Sequence, residues 1–99
     1  MNKQQSAVNK LVRLANSSCG SSKAAAAVLL SAYDPANYPL EITELCLFDE
    51  EYLAAAMMVI SLRVWNGREP HEFLIDGRDV FQRMIDDWGR ALHISNRVS

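Results

Sequence analysis

Few side chains in this sequence are of types that do chemistry, so each can be weighed in turn. Two cysteines, Cys19 and Cys46, two histidines, His71 and His93, and the adjacent acids Glu50 with Glu51 and Asp86 with Asp87 make up most of the inventory. A lysine, Lys23, follows Gly20, Ser21 and Ser22, which raises the question of a phosphate loop. That loop needs GxxxxGK[ST] after a strand, so that backbone N–H groups wrap the phosphates while lysine and hydroxyl meet charge and magnesium. Here there is one glycine, a helix ahead of it, and alanine after the lysine, which is the composition of a helix end and a new helix start.

The other candidates fail on spacing. "HEFLI" begins like the zinc motif HExxH but has Ile75 where the second histidine belongs, and neither histidine has a cysteine at ligand spacing, so no metal or cofactor is expected. Neighbouring acids on a helix point about 100° apart, which suits solvated faces and helix N-termini better than paired acid–base catalysis. No GxSxG elbow surrounds any serine. Cys46, within "ELCLF", reads as a buried apolar residue, and the cysteines share no CxxC spacing, so both are expected as free thiols. The residues therefore point to a protein that is not an enzyme.

Recognition chemistry remains. Trp65 lies at a helix end between Arg63 and Arg68, and tryptophan and arginine are the types that anchor protein interfaces. Residues 1–40 carry a net charge of +3, residues 41–60 carry −5 from Glu41, Glu44, Asp49, Glu50 and Glu51, and the remainder balances. A basic start beside an acidic middle allows intramolecular pairing or head-to-tail association, and the overall charge of −2 does not suit a dedicated nucleic-acid binder. The expected partner surface is Arg63, Trp65 and Arg68 with the acidic patch of Glu44, Asp49, Glu50 and Glu51.

The elements that must position these residues are helical. Val8, Leu11, Val12 and Ala15 fall at helical spacing over about residues 5–17, and Gly20 stands where a left-handed residue would end that helix. Ser21 or Ser22 is placed to cap a second helix that runs to Tyr33, whose four alanines predict close packing near the centre of the fold. Asp34 and Pro35 stop it. "TELCLF" predicts a short helix opened by Thr43. Asp49 then caps the longest helix, with Phe48 and Leu53 as a hydrophobic staple and Asn66–Gly67 as a left-handed end.

Within that long helix, Leu53, Ala56, Met57, Ile60 and Val64 form the expected core stripe, widened by Leu62, Met58 and Trp65. "REPHEFLIDG" reads as a loop with one helical turn at Pro70. Val80, Phe81, Met84, Ile85, Trp88 and Leu92 mark a last helix over 78–92, which could end early at Gly89, and the tail after it should fray. The fold expected is a single all-α domain over residues 1–99, ordered over about 5–93: a bundle of about four main helices with one or two short turns. No run of about 18 apolar residues predicts a membrane span, and "MNKQQSAVNK" is too polar for an export signal, so a cytoplasmic protein is expected.

The order "LVRLANSSCGSSKAAAAVLL", "LEITELCLFDEEYLAAAMMVI" and "VFQRMIDDWGRAL" resembles a family of small bacterial proteins carried on integrative elements, plasmids and prophages and known only as a domain of unknown function. The family looks like a leading LLxLA helix, a TGQS-like turn feeding an apolar helix, a DLTDLW-like short helix with an Asp-initiated long helix, and a closing helix that ends in tryptophan. Leu11 to Ala15, Cys19 to Leu30, Leu40 to Ile60 and Phe81 to Trp88 occupy the corresponding places. The chain departs from the pattern at Cys19, where threonine is usual, at Ser22 to Ala24, where a second basic residue is common, and around Tyr33, where the family is richer in tryptophan. The resemblance implies an accessory gene of a mobile element and brings no catalytic residue with it.

The function expected is protein–protein interaction, modulating or inhibiting a host or defence complex, with a homodimer as a companion possibility. The alternative is a DNA-associated regulator or partitioning accessory that uses the first two helices as a helix-turn-helix. That reading needs basic and polar side chains on the second helix, where Lys23 is the only basic group and the body is alanine and aliphatics.

Overall fold

The computed structural model describes residues 3–67, 72, 74 and 76–96. Arg68 and the turn at Pro70 and His71 lie outside these residues. Helix α1 covers Lys3–Ala15, α2 Ser22–Tyr33 and α3 Glu50–Asn66, with a 3-10 segment at Ile42–Leu47 between the last two. Helix α4, Gly77–Met84, continues through a π-helical segment, Ile85–Gly89, into α5, Arg90–Leu92, and a 3-10 turn at Ile94–Asn96 follows. Every described element is helical, so the fold is an all-α bundle.

Helix α2 is the central rod. From Ala24 to Leu30 every residue is buried, and α1 and α3 pack against it and against each other. Val8, Leu11 and Leu14 of α1, Ala55, Ala56, Val59 and Leu62 of α3, and Phe81 and Met84 of α4 close the core around it.

The ends of the helices are held in several ways. Asp49 caps α3 as expected, its carboxylate accepting the Tyr52 N–H at 3.2 Å, and Gly67 ends that helix in the left-handed region at φ 64°. The end of α1 differs from expectation, because Gly20 does not take a positive φ and is not its terminator. Instead the freed carbonyls of α1 find separate donors: Asn16 N–H on Val12, Ser17 N–H and Oγ on Leu14, and the indole N–H of Trp88 on Ala15 at 3.1 Å.

Two further expectations are corrected. Of the expected stripe on α3, Ala56 and Leu62 are buried and Met58 and Ile60 pack against the core, but Leu53, Met57, Val64 and Trp65 are exposed, and Ala55 and Val59 complete the buried side. Helix α3 is apolar on nearly every side, so its period could not say which side would be covered, and the small-residue side permits the closest approach to its neighbours. Cys46 is exposed, not buried. Residues 93–96 make contacts with the loop after α2: Ile94 N–H bonds to the Asn37 carbonyl at 2.8 Å, and His93 packs edge-on against Tyr38 at 5.4 Å between ring centroids; the rest of the tail lies outside the described residues.

Candidate functional surface

The turn from α1 into α2 is built around Ser22. Ser21 occupies the position before the helix but makes no side-chain cap. Ser22, buried at the first helical position, turns its hydroxyl back instead: it donates to the Ser17 carbonyl at 2.8 Å and accepts the Cys19 N–H at 3.1 Å. The hydroxyls of Ser17, Ser22 and Ser21 then lie 3.4, 3.4 and 3.6 Å from the Cys19 sulfur. Hydrogen bonds to Ser17 first, then Ser22 and Ser21, lower the Cys19 thiol from 9.0 to about 6, and the thiol is exposed. Lys23 points outward and takes no part. The segment that resembled a phosphate loop is a hydroxyl-lined turn that favours a thiolate.

A second polar cluster joins the tail to the loop after α2. A cleft of about 330 Å³ is lined by Tyr38, Ile85, Gly89, Arg90, His93 and Ser95. His93 Nδ1 accepts the Ser95 backbone N–H at 3.1 Å and sits 2.8 Å from the Ser95 hydroxyl, so the ring's proton belongs on Nε2. Burial, and then the charge of Asp34, raise the Tyr38 phenol above its ordinary value. Sequence spacing gave no sign of this cluster, because Tyr38 and His93 are far apart along the chain. Among the described residues, no group of three or more His, Cys, Asp or Glu could hold a metal ion.

The residues expected to form one partner surface are dispersed. Trp65 is 83% exposed, whereas Arg63 is half-buried, and two helical positions at this spacing point about 200° apart. Glu51 pairs with Lys10 of α1, whose ammonium also lies 5.9 Å from the centre of the Tyr52 ring. Asp49 is occupied as the cap of α3, Glu44 is half-buried on the 3-10 segment, and Glu50 is exposed. The basic start and acidic middle therefore meet within the chain at Lys10 and Glu51.

What the structure brings together is apolar. Leu53, Met57 and Val64 are 36%, 48% and 69% exposed along one face of α3, and Trp65 flanks them. Ile42 and Leu47, at the two ends of the 3-10 segment, are 79% and 57% exposed. Beside the α3 face, a groove of about 460 Å³ opens between α1 and α3, lined by Ala7, Ala54, Ala55 and Met58 with Lys3, Ser6 and the Lys10–Glu51 pair.

These features define a small helical bundle whose most unusual surface is an uncovered apolar helix face. A family model described as "Family of unknown function (DUF7673)" matches residues 5–89, and the chain belongs to that family. Neither a curated protein nor a solved structure matches the chain. No described helix is long and apolar enough to cross a membrane.

Proposed function

We propose that this chain is a non-enzymatic binding protein that acts by covering a surface of another protein, as an accessory of a mobile element that modulates a host or defence complex. The observation that carries the reading is the exposure of Trp65, Val64, Met57, Ile42 and Leu47. Isolated apolar residues at a surface are ordinary, but a run along one helix face, flanked by an exposed tryptophan, is the composition of an interface core. The mobile-element setting rests on the sequence resemblance alone.

The burial of α2 supports this reading over DNA recognition. A helix-turn-helix would lay α2 in the major groove, and here its body from Ala24 to Leu30 is enclosed by the other helices. The test is affinity capture from host lysate with the full chain, beside Trp65→Ala and Leu47→Asp. The expected result is a defined foreign protein that at least one of the two variants loses. Recovery of the bait alone, or of the same proteins by all three baits, would refute the proposal.

A further inference from the structure

The α3 face and the neighbouring groove are complementary to each other. Ala54, Met58, Ser61 and Trp65 recur at i, i+4, i+7 and i+11, so they form a single row along α3. Trp65, at one end of the row, is the most exposed large apolar side chain among the described residues. At the other end, Ala54 and Met58 line the open groove that α3 forms with α1. Knob and hole are on one helix, about 16 Å apart along its axis at 1.5 Å per residue.

We infer that two copies of the chain pair antiparallel along α3, with Trp65 of each copy seated in the α1/α3 groove of the other. The inference rests on reading the α3 face as a binding surface, and it names the occupant as a second copy. A two-fold axis crossing α3 midway between Ala54 and Trp65 makes both contacts at once, because a two-fold interface requires that if one position meets another, the reverse contact also forms. An unrelated partner would have to supply its own knob and its own hole at the same separation.

Charge and area agree with this occupant. Ala7, Ala54, Ala55 and Met58 give the groove an apolar floor for an indole ring, and Lys10 at its edge is already paired with Glu51, so the groove takes an apolar side chain without leaving that pair unmatched. Antiparallel pairing also opposes the two helix dipoles. The exposed parts of Leu53, Met57, Val64 and Trp65 present on the order of 500 Å² per copy, which brings two copies to the ~1,000 Å² that a specific interface needs. Ser61 does not obstruct the approach, since its hydroxyl is turned back onto the Met57 carbonyl at 2.8 Å. Ile42 and Leu47, on a separate element, stay available to a foreign protein.

The test is sedimentation of the full chain from roughly 1 to 200 μM, with tryptophan emission read on the same samples. The expected result is a reversible monomer–dimer equilibrium in which emission shifts to the blue as the dimer forms. Trp65→Ala should raise the dissociation constant at least about tenfold, as expected for a central aromatic anchor. Ala54→Arg, which fills the groove from an exposed position and adds a charge beside Lys3 and Lys10, should do the same and should also abolish the emission shift with Trp65 intact. Both variants should keep the helical circular dichroism of the parent.

A chain that stays monomeric through that range overturns the inference, as does a dimer that neither folded variant weakens. A monomer that still captures a foreign protein would remove the dimer and leave the binding function standing. A dimer that captures nothing would support the dimer and remove the other reading.

Discussion

Ser22→Ala is the substitution on which the account of the first turn depends. The ordinary reading of a helix start assigns the cap to the residue before the helix, so Ser21→Ala should cost ~0.5–2 kcal/mol and Ser22→Ala almost nothing. The structure reverses the order. Ser21 contributes its backbone carbonyl to Ala25 N–H at 3.0 Å, which alanine would keep, and no side-chain cap. Ser22 holds the Ser17 carbonyl and the Cys19 N–H with one buried hydroxyl. Each such bond contributes ~0.5–1.5 kcal/mol, and a partner left buried and unpaired costs ~1–3 kcal/mol. Residues 17 to 19 are exposed, so water can replace part of what is lost. The expected loss is then ~1.5–3 kcal/mol for Ser22→Ala and under ~0.5 kcal/mol for Ser21→Ala. For a domain of this size that lowers Tm by roughly 10 °C in the first case and by a degree or two in the second. Thermal and urea unfolding followed by far-ultraviolet circular dichroism, in a Cys19→Ser background to exclude thiol chemistry, measures both. Equal losses, or a larger loss for Ser21→Ala, would show that Ser22 does not organise the turn.

The same turn predicts a reactive thiol: with Cys46→Ser present, alkylation of Cys19 should be half-maximal near pH 6, and a midpoint near the ordinary ~8.5 would refute the geometry. The Ser17 hydroxyl, 3.4 Å from the sulfur, makes the largest of the three contributions, so Ser17→Ala should move that midpoint upward. Because the folded value is the lower one, the native turn favours the thiolate, and the stability it contributes is present above pH 9 and lost as pH falls towards 6; urea midpoints of the parent and Cys19→Ser should converge in that direction. Ala26→Leu should destabilise by ~1–3 kcal/mol through overpacking of a fully buried site, while Lys23→Ala on the exposed side of the same helix should stay within ~0.5 kcal/mol in urea unfolding. Trp88→Phe should cost ~1–3 kcal/mol, because it leaves the half-buried end of α1 at the Ala15 carbonyl without its indole donor, and amide exchange near that end should accelerate.

What the sequence could announce was local. The Asp49 cap and the left-handed Gly67 each depend on a few neighbouring residues, and the alanines of α2 state their own requirement for close packing, so these were readable without the fold. Gly20 was misleading for the same reason: a glycine after a helix suggests a left-handed end, but the carbonyls of α1 are satisfied partly by Trp88, whose arrival no local pattern could show. The contacts of the tail had no local sign either, because its partners Asn37 and Tyr38 belong to the loop after α2. The Ser22 hydroxyl was missed because its two partners lie behind it, against the direction in which an N-cap is sought.

Helix α3 is a different case, since its pattern was visible and its direction was not. Leu53, Met57, Ile60 and Val64 follow a 4-3-4 spacing, the seam by which helices pack on one another. Such a seam says that a face is to be covered, and within one chain the default cover is the chain's own core. Here the core is filled on the opposite side by Ala55, Ala56, Val59 and Leu62, leaving the seam outside except at Ile60, which is half-buried. A helix that meets its own core through Ala55, Ala56, Val59 and Leu62 while presenting Leu53, Met57 and Val64 outward has two apolar faces fit for packing, and only one is used inside the bundle. The misassigned stripe is therefore the strongest reason to look for a partner on α3, and the groove beside Ala54 is the reason to try a second copy first.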